Sequence, residues 1–170
     1  MKTVSNSGPV MSLAKLGLLE LLYNLYGQIY IPSGVYYEVT FHGLDSRYPD
    51  VHCIRSAKLK GRIVVISICD GEIPASISNL SLDTGEKQSI YLAIRDEFNL
   101  ILLDDLKARE EAKALGLNVK GTLGIIAQAY RDGFINLDMV EEIIQTIIAR
   151  DDIWINNELC LRVFSELKKS

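Results

Sequence analysis

Five oxygen-bearing side chains stand where short apolar runs give way to helical stretches: Asn6, Glu38, Glu86, Asp104 and Asp105. Carboxylates brought close together repel, and their pKa values rise unless a cation lies between them. Mg²⁺ and Mn²⁺ prefer oxygen ligands and keep several waters. An acidic cluster with one or two such ions can orient a water, lower its pKa and stabilise charge on a phosphodiester. Histidine is not needed for this, and the chain has only His42 and His52, neither at a strand end. Each residue also has an ordinary structural reading. Glu86 follows Asp83 at capping-box spacing. Glu38 reads alone as a solvated helix residue, and Asp104 or Asp105 as the N-cap of the next helix. Asn6 fits a tight turn with Gly8 and Pro9. Only the joint arrangement carries weight.

That arrangement depends on the elements around it. Strand candidates are Thr3–Ser5, Gln28–Ile31, Ile63–Ile68, Leu100–Leu103 and Asn118–Lys120. They are short and apolar without strict alternation, as strands buried on both faces of a parallel sheet are. Between them the apolar periodicity predicts helices over Val10–Leu25 (broken near Gly17), from Pro32, and over Asp50–Leu59, Thr84–Phe98, Lys107–Leu115 and Thr122–Arg131. Leu137–Ala149 and Glu158–Lys168 follow. In the Thr84–Phe98 helix, Ile90, Ala93, Ile94 and Phe98 share a side. His42–Lys60 is the weakest stretch, and Cys69–Ser81 reads as a long loop. The alternation predicts an α/β fold with a mostly parallel sheet, residues 1–170 forming one domain with a helical extension over about 135–170. In such sheets ligands bind beyond the carboxyl ends of the strands. Asn6 follows the first strand and Asp104-Asp105 the fourth. Glu38 lies in the helix after the second, and Glu86 at the start of the antiparallel helix before the fourth. All five can therefore reach one rim.

Composition narrows the classes. The 170 residues include 18 Lys+Arg against 22 Asp+Glu and are 48% hydrophobic, an ordinary globular balance. A pI near 5.2 argues against a broadly basic nucleic-acid binder, though not against a local basic groove. No apolar run approaches the roughly 20 residues that span a bilayer. The N-terminus turns polar at Ser5, Asn6 and Ser7 with no signal core after it, so a cytoplasmic protein is expected. Cys53, Cys69 and Cys160 are scattered, form no CxxC pair, and read as reduced, buried thiols. There is no GxxxxGK[ST], GxGxxG or GxSxG signature.

The motifs, taken in order, resemble the PIN-domain nuclease family. They are Val4-Ser5-Asn6-Ser7-Gly8-Pro9-Val10, Ile31-Pro32 with Val35-Tyr36-Tyr37-Glu38, Gly85-Glu86 leading into Ile90-Tyr91-Leu92-Ala93, Leu102-Leu103-Asp104-Asp105 with Arg109, and Gly121-Thr122-Leu123-Gly124. The likeness spans roughly residues 3–130, and order and spacing resemble an uncharacterised prokaryotic branch related to the VapC-like toxins of toxin–antitoxin pairs. The resemblance implies a three-layer α/β/α sandwich with a five-stranded, mostly parallel sheet in the order 3-2-1-4-5. It implies a Mg²⁺- or Mn²⁺-dependent endoribonuclease acting on RNA, a homodimer, and an antitoxin protein as partner. Carried over by position, Asn6, Glu38, Glu86, Asp104 and Asp105 would hold the metal, and Glu38, Glu86, Asp105 and Asp104 would be catalytic. Asp105 aligns with the usual metal aspartate, and a one-residue shift would give that role to Asp104. The wider family has aspartate where this chain has Asn6. An amide oxygen can ligate a metal but brings no charge. Glu86 replaces the more common aspartate and has longer reach.

Further signals lie outside the acidic set. Thr122 reads first as a helix N-cap, and secondly as a hydroxyl facing a phosphate. Lys107, Arg109, Lys113 and Lys120 read as a solvated face interleaved with Glu110 and Glu111, or as contacts to an RNA backbone. Tyr23, Tyr26, Tyr30, Tyr36 and Tyr37 suggest core packing or a dimer surface. The aliphatics Met139, Val140, Ile143, Ile144, Ile147 and Ile148 suggest core or a partner face. Trp154 and Ile155 have no role assignable from sequence. Two other classes compete with the nuclease: a PIN-like module that binds RNA or protein without cutting, which Asn6 favours, and a receiver-like signalling domain. In the latter an acidic pair follows the first strand, where this chain has Asn6.

Overall fold

The computed structural model describes residues 2–41 and 49–169. Five parallel strands form one sheet in the order β3-β2-β1-β4-β5: β1 (Thr3–Ser5), β2 (Ile29–Pro32), β3 (Ile63–Ile66), β4 (Leu100–Leu102) and β5 (Val119–Lys120). β1 is central, with Val4 opposite Tyr30 on β2 and Ile101 on β4. Its parallel strands are those expected from the short, two-sided apolar runs, and their order is the one the resemblance implies.

Strand alternation divides the core into layers. Ile29, Ile31, Leu100 and Leu102 point to one face, where α1 (Ser7–Lys15), α2 (Leu19–Tyr26), α3 (Ser33–Phe41) and α4 (Pro49–Leu59) pack. Val4, Tyr30, Ile101 and Leu103 point to the other, covered by α5 (Ala75–Ser78), α6 (Thr84–Arg95) and α7 (Leu106–Ala114). Helices α8 (Thr122–Arg131), α9 (Leu137–Ala149) and α10 (Asn157–Leu167) build a third cluster. Leu21 of α2 joins it, so the C-terminal helices are anchored on the sandwich. No described helix is long and apolar enough to cross a membrane.

Several boundaries differ from the sequence reading. Pro32 ends β2 instead of opening the next helix: it still pairs with Ile66 of β3, and α3 begins at Ser33. The first helical region starts at Ser7 and not at Val10, while its break falls where expected, at Gly17 with φ +70°. The long loop over Cys69–Ser81 contains a 3₁₀ turn at Asp70–Glu72 and the short α5, whose buried Ile77 pins it to the core. Ile94 is 40% exposed, and Leu92 is buried in its place. Cys53 and Cys69 are exposed, so only Cys160 is a buried thiol; all three are free. His42–Tyr48, the first part of the weakest stretch, lies outside the described residues.

Tyr23 and Tyr26 are buried in the core, and burial pushes each phenol up to about 12. Tyr37 stays exposed and stacks on Phe41, with ring centroids 4.6 Å apart. In α9, Val140, Ile143, Ile144 and Ile147 are core, and Met139 faces outward. Truncating a fully buried aliphatic typically costs about 2–5 kcal/mol. Ile144→Ala is therefore expected to lower unfolding stability by that amount in a denaturant titration. A loss under about 1 kcal/mol would mean that α9 is not part of the packed core.

Candidate active site

The central strand delivers Asn6 to the carboxyl edge of the sheet, and its backbone N–H donates to Leu102 O of β4 at 3.0 Å. Asn6 is the N-cap residue of α1 by position, yet its side chain makes no cap hydrogen bond. It is 8% exposed, and its Oδ1 is buried with no hydrogen-bond partner. A turn or capping asparagine would spend that oxygen on a backbone N–H, and leaving a buried acceptor unpaired costs on the order of 1–3 kcal/mol. The oxygen instead faces the space beside Gly85. A methyl group at Gly85 would stand 3.3 Å from Asn6 Oδ1 and 3.2 Å from Glu38 Oε2. The missing side chain of Gly85 therefore keeps open a cradle between an amide oxygen from β1 and a carboxylate from α3.

Glu86 lies at the same rim, at the start of α6. Its Oε2 accepts from Asp83 N–H at 3.0 Å, so the capping box foreseen from the spacing is formed. The cap does not remove it from the acidic set. Glu86 is 8% exposed, and burial raises its pKa; the Asp83 N–H opposes the shift, while the charges of Asp105, Asp83 and Glu38 add to it. Capping and clustering coexist on one side chain.

The aspartate pair divides. Asp105 is the N-cap of α7, with Oδ1 accepting from Ala108 N–H at 2.8 Å; it is exposed, and its charge acts on Glu86. Asp104 turns to the start of α8. Thr122 donates to it twice, from N–H at 2.7 Å and from its hydroxyl at 2.6 Å. Burial raises the Asp104 pKa, against the pull of those two bonds and of the Arg109 charge. The close approach of the β4–α7 and β5–α8 turns needs glycine at 121: a methyl there would meet Arg109 Nη1 at 2.5 Å and Asp104 Oδ1 at 2.9 Å.

The sequence-derived site residues are thus sorted. Asn6, Glu38, Glu86 and Asp105 share one electrostatic neighbourhood. Asp104 stands behind it, held by Thr122. Thr122 is not the N-cap of α8, a place taken by Gly121; it is fully buried, and its hydroxyl is committed to Asp104. The basic cluster separates as well. Arg109 and Lys113, four apart on α7, line a groove of about 1100 Å³ that also reaches Asp104 and Asp105. Lys107 is exposed and not among its lining residues. Lys120 lies over the Tyr26 ring at 5.6 Å, and burial lowers its pKa. Among the described residues no three His, Cys, Asp or Glu side chains are close enough to enclose an ion by themselves.

These donors fit a hard divalent cation held through one or two protein oxygens and its own waters, as Mg²⁺ commonly is. The fit rests on the orphaned Asn6 oxygen, on the cradle at Gly85 and on a glutamate whose ionised form suffers from its neighbours. Sequence reasoning gave Gly85 no role beyond its motif. The available signal was a glycine in a helix's first turn, where it weakens the helix unless space is needed.

A family model described as a PIN domain matches residues 2–169. No curated protein matches the chain.

The raised Glu86 pKa has a signed consequence. The folded chain keeps this proton to higher pH than the unfolded chain does, so its contribution to stability falls as pH rises through that interval. In EDTA, Glu86→Gln, which keeps an acceptor for Asp83 N–H, is expected to lack that fall. Thermal midpoints of both proteins between about pH 4 and pH 8 check it, starting near the ordinary glutamate value. Parallel profiles would show that burial and the neighbouring carboxylates do not raise the Glu86 pKa.

Proposed function

The chain belongs to the PIN-domain family, and from that premise we propose that it is a metal-dependent endoribonuclease, the toxin-like half of a toxin–antitoxin pair. The observation that carries the nuclease reading is Asn6 Oδ1: buried, without a partner, and facing Glu38 across the gap at Gly85. An amide that met carboxylates with no cation among them would do better to turn its NH₂ toward them. The toxin-like assignment, an antitoxin partner and a homodimer rest on the likeness of the five ordered motifs to the VapC-related branch.

In this reading Asn6, Glu38, Glu86 and Asp105 hold Mg²⁺ or Mn²⁺, one or two of them directly and the others through its waters, with Asp104 supporting them from behind. When bound, the ion supplies positive charge at the phosphodiester and acidifies a water. The chain's residues do the rest. Glu38 is exposed on α3, so its carboxylate is open to an incoming strand and can accept a proton from the attacking water at Oε2. Glu86 is fixed at the rim by its bond from Asp83 N–H. Asp105 holds its position by capping α7. Thr122 keeps Asp104 aligned, and Arg109 offsets its charge.

A second reading, a PIN-like module that binds RNA or protein without cutting, is favoured by the neutral Asn6 and by the wide spacing of the carboxylates. Incubation with a mixed single-stranded RNA pool and Mn²⁺ or Mg²⁺ separates the two. Cutting that vanishes in EDTA and drops about 100-fold or more in Glu38→Ala and Asp105→Asn supports the nuclease; asparagine keeps the cap acceptor, so the fold is not the variable. No cutting by folded, metal-supplied protein would transfer the assignment to the binding module.

Asn6 offers a separate check. Restoring a charge with Asn6→Asp is expected to tighten Mn²⁺ binding about tenfold in calorimetry, a modest share of the attraction between unit charges in a partly buried site. Equal or weaker binding would make Asn6 a structural residue of the β1–α1 turn.

A further inference from the structure

Two of the rim's glutamates ride on α3 and α6, and each of these helices has glycine as its second residue: Gly34 in α3 and Gly85 in α6. The described glycines of positive φ are Gly17, Gly27, Gly61, Gly116 and Gly133, so Gly34 and Gly85 hold a backbone open to any residue. Glycine weakens a helix, and the local conformation does not call for it at either place. What both positions need is space.

The two glycines face each other's helices. A methyl at Gly85 would stand 3.2 Å from Val35 Cγ2 and from Glu38 Oε2 of α3. A methyl at Gly34 would overlap Gln88 Oε1 of α6 and stand 3.1 Å from its Cδ. Carbon atoms in contact ordinarily keep about 3.5–4.0 Å, so each helix fills the gap that the other's glycine leaves. The spacing of packed helices follows the side chains at their crossing. Gln88 is 5% exposed, so its amide has no water to swing into. Gly34 and Glu38 lie one turn apart on α3, as Gly85 and Gln88 do on α6. The contact that fixes α3 against α6 is therefore one turn from the carboxylate that α3 brings to the rim.

That distance matters for a cation held between the helices. Mg²⁺ takes oxygen ligands at about 2.0–2.1 Å in near-ideal octahedral geometry, and Ca²⁺ takes them at about 2.3–2.6 Å in looser shells. The difference of roughly 0.3–0.5 Å is of the same order as the shift that a methyl at Gly34 would force on Gln88 to restore ordinary contact. Building on the metal-dependent reading, we propose that the crossing of α3 and α6 through Gly34 and Gln88 sets the width of the cradle and selects a cation of Mg²⁺ size over one of Ca²⁺ size. Gln88 acts through Glu38 and Glu86 and is a positioning residue.

The full chain, stripped with EDTA and dialysed, is titrated with Mg²⁺ and with Ca²⁺ in a calorimeter, and the ratio of the two dissociation constants is the readout. Thermal midpoints without metal report whether each variant folds. Gly34→Ala is expected to move the ratio toward Ca²⁺ by about threefold or more, the low end of coupling between touching residues. Gln88→Ala, which removes the spacer, is expected to move it the other way, and to cancel most of the Gly34→Ala shift in the double variant. Gln88→Met fills about the same space and is expected to hold the ratio of the unaltered chain. A merely structural role would lower the thermal midpoints and leave the ratio alone.

Unchanged ratios in folded Gly34→Ala and Gln88→Ala would overturn this proposal and leave the metal-dependent reading standing. A Gly34→Ala shift of equal size with and without Gln88 would also overturn it, because the effect would not pass through the crossing. Should Gly34→Ala not fold, Gln88→Ala carries the test, and an unchanged ratio there overturns the proposal. Failure of the unaltered chain to bind either cation would remove both readings.

Discussion

Negative charge gathered at one edge of a parallel sheet is the constraint on which the rest of this structure turns. β1 and β4 are neighbours, so whatever follows them is brought together, and α3 and α6 add two glutamates to the same rim. Repulsion among unscreened carboxylates would oppose folding. The chain relieves it by giving most of the acids a second task. Asp105 caps α7, Glu86 closes the capping box that Asp83 opens on α6, and Asp104 takes two hydrogen bonds from Thr122. A buried position on the same rim carries Asn6, a neutral oxygen donor. An aspartate there would add a further buried charge, unless a cation compensated for it.

The same economy explains why capping and ligand readings of these residues are not rivals. A carboxylate has two oxygens and about four acceptor directions. One backbone N–H fixes the side chain, and the remaining lone pairs stay directed at the rim. Capping thus supplies rigidity to groups whose geometry matters, much as outer partners orient metal ligands in other proteins. Asn6 is the exception that marks the site, since it holds the cap position of α1 and leaves that bond unmade.

The C-terminal helices give the rim a direction. They pack on α2 and α8 through Leu21, Ile126, Ile143 and Ile147. Their connection is thereby held opposite α7, and the open edge of the sheet becomes one end of a groove. The extension is part of the core, and the polar turn at its tip is what faces the site.

Sequence alone determined the local elements and their order. Short apolar runs set β1 to β5, and periodic aliphatics set α8 and α9 to the residue. These are near-neighbour properties, governed by side-chain periodicity and by where glycine or proline stops an element. It also brought Asn6, Glu38, Glu86 and the Asp104-Asp105 pair to one edge, because strand polarity fixes which end of the sheet each loop occupies. Tertiary structure decided the remainder. Whether Asp104 or Asp105 turned inward depended on Thr122, which lies far along the chain and becomes a donor only when β5 pairs with β4. The unpaired state of Asn6 Oδ1 and the space kept by Gly85 depend on burial, which no spacing encodes. Trp154 was silent in the sequence for the same reason: exposure and neighbours belong to the packed chain, and only the anchoring of α9 and α10 set the ring beside the groove.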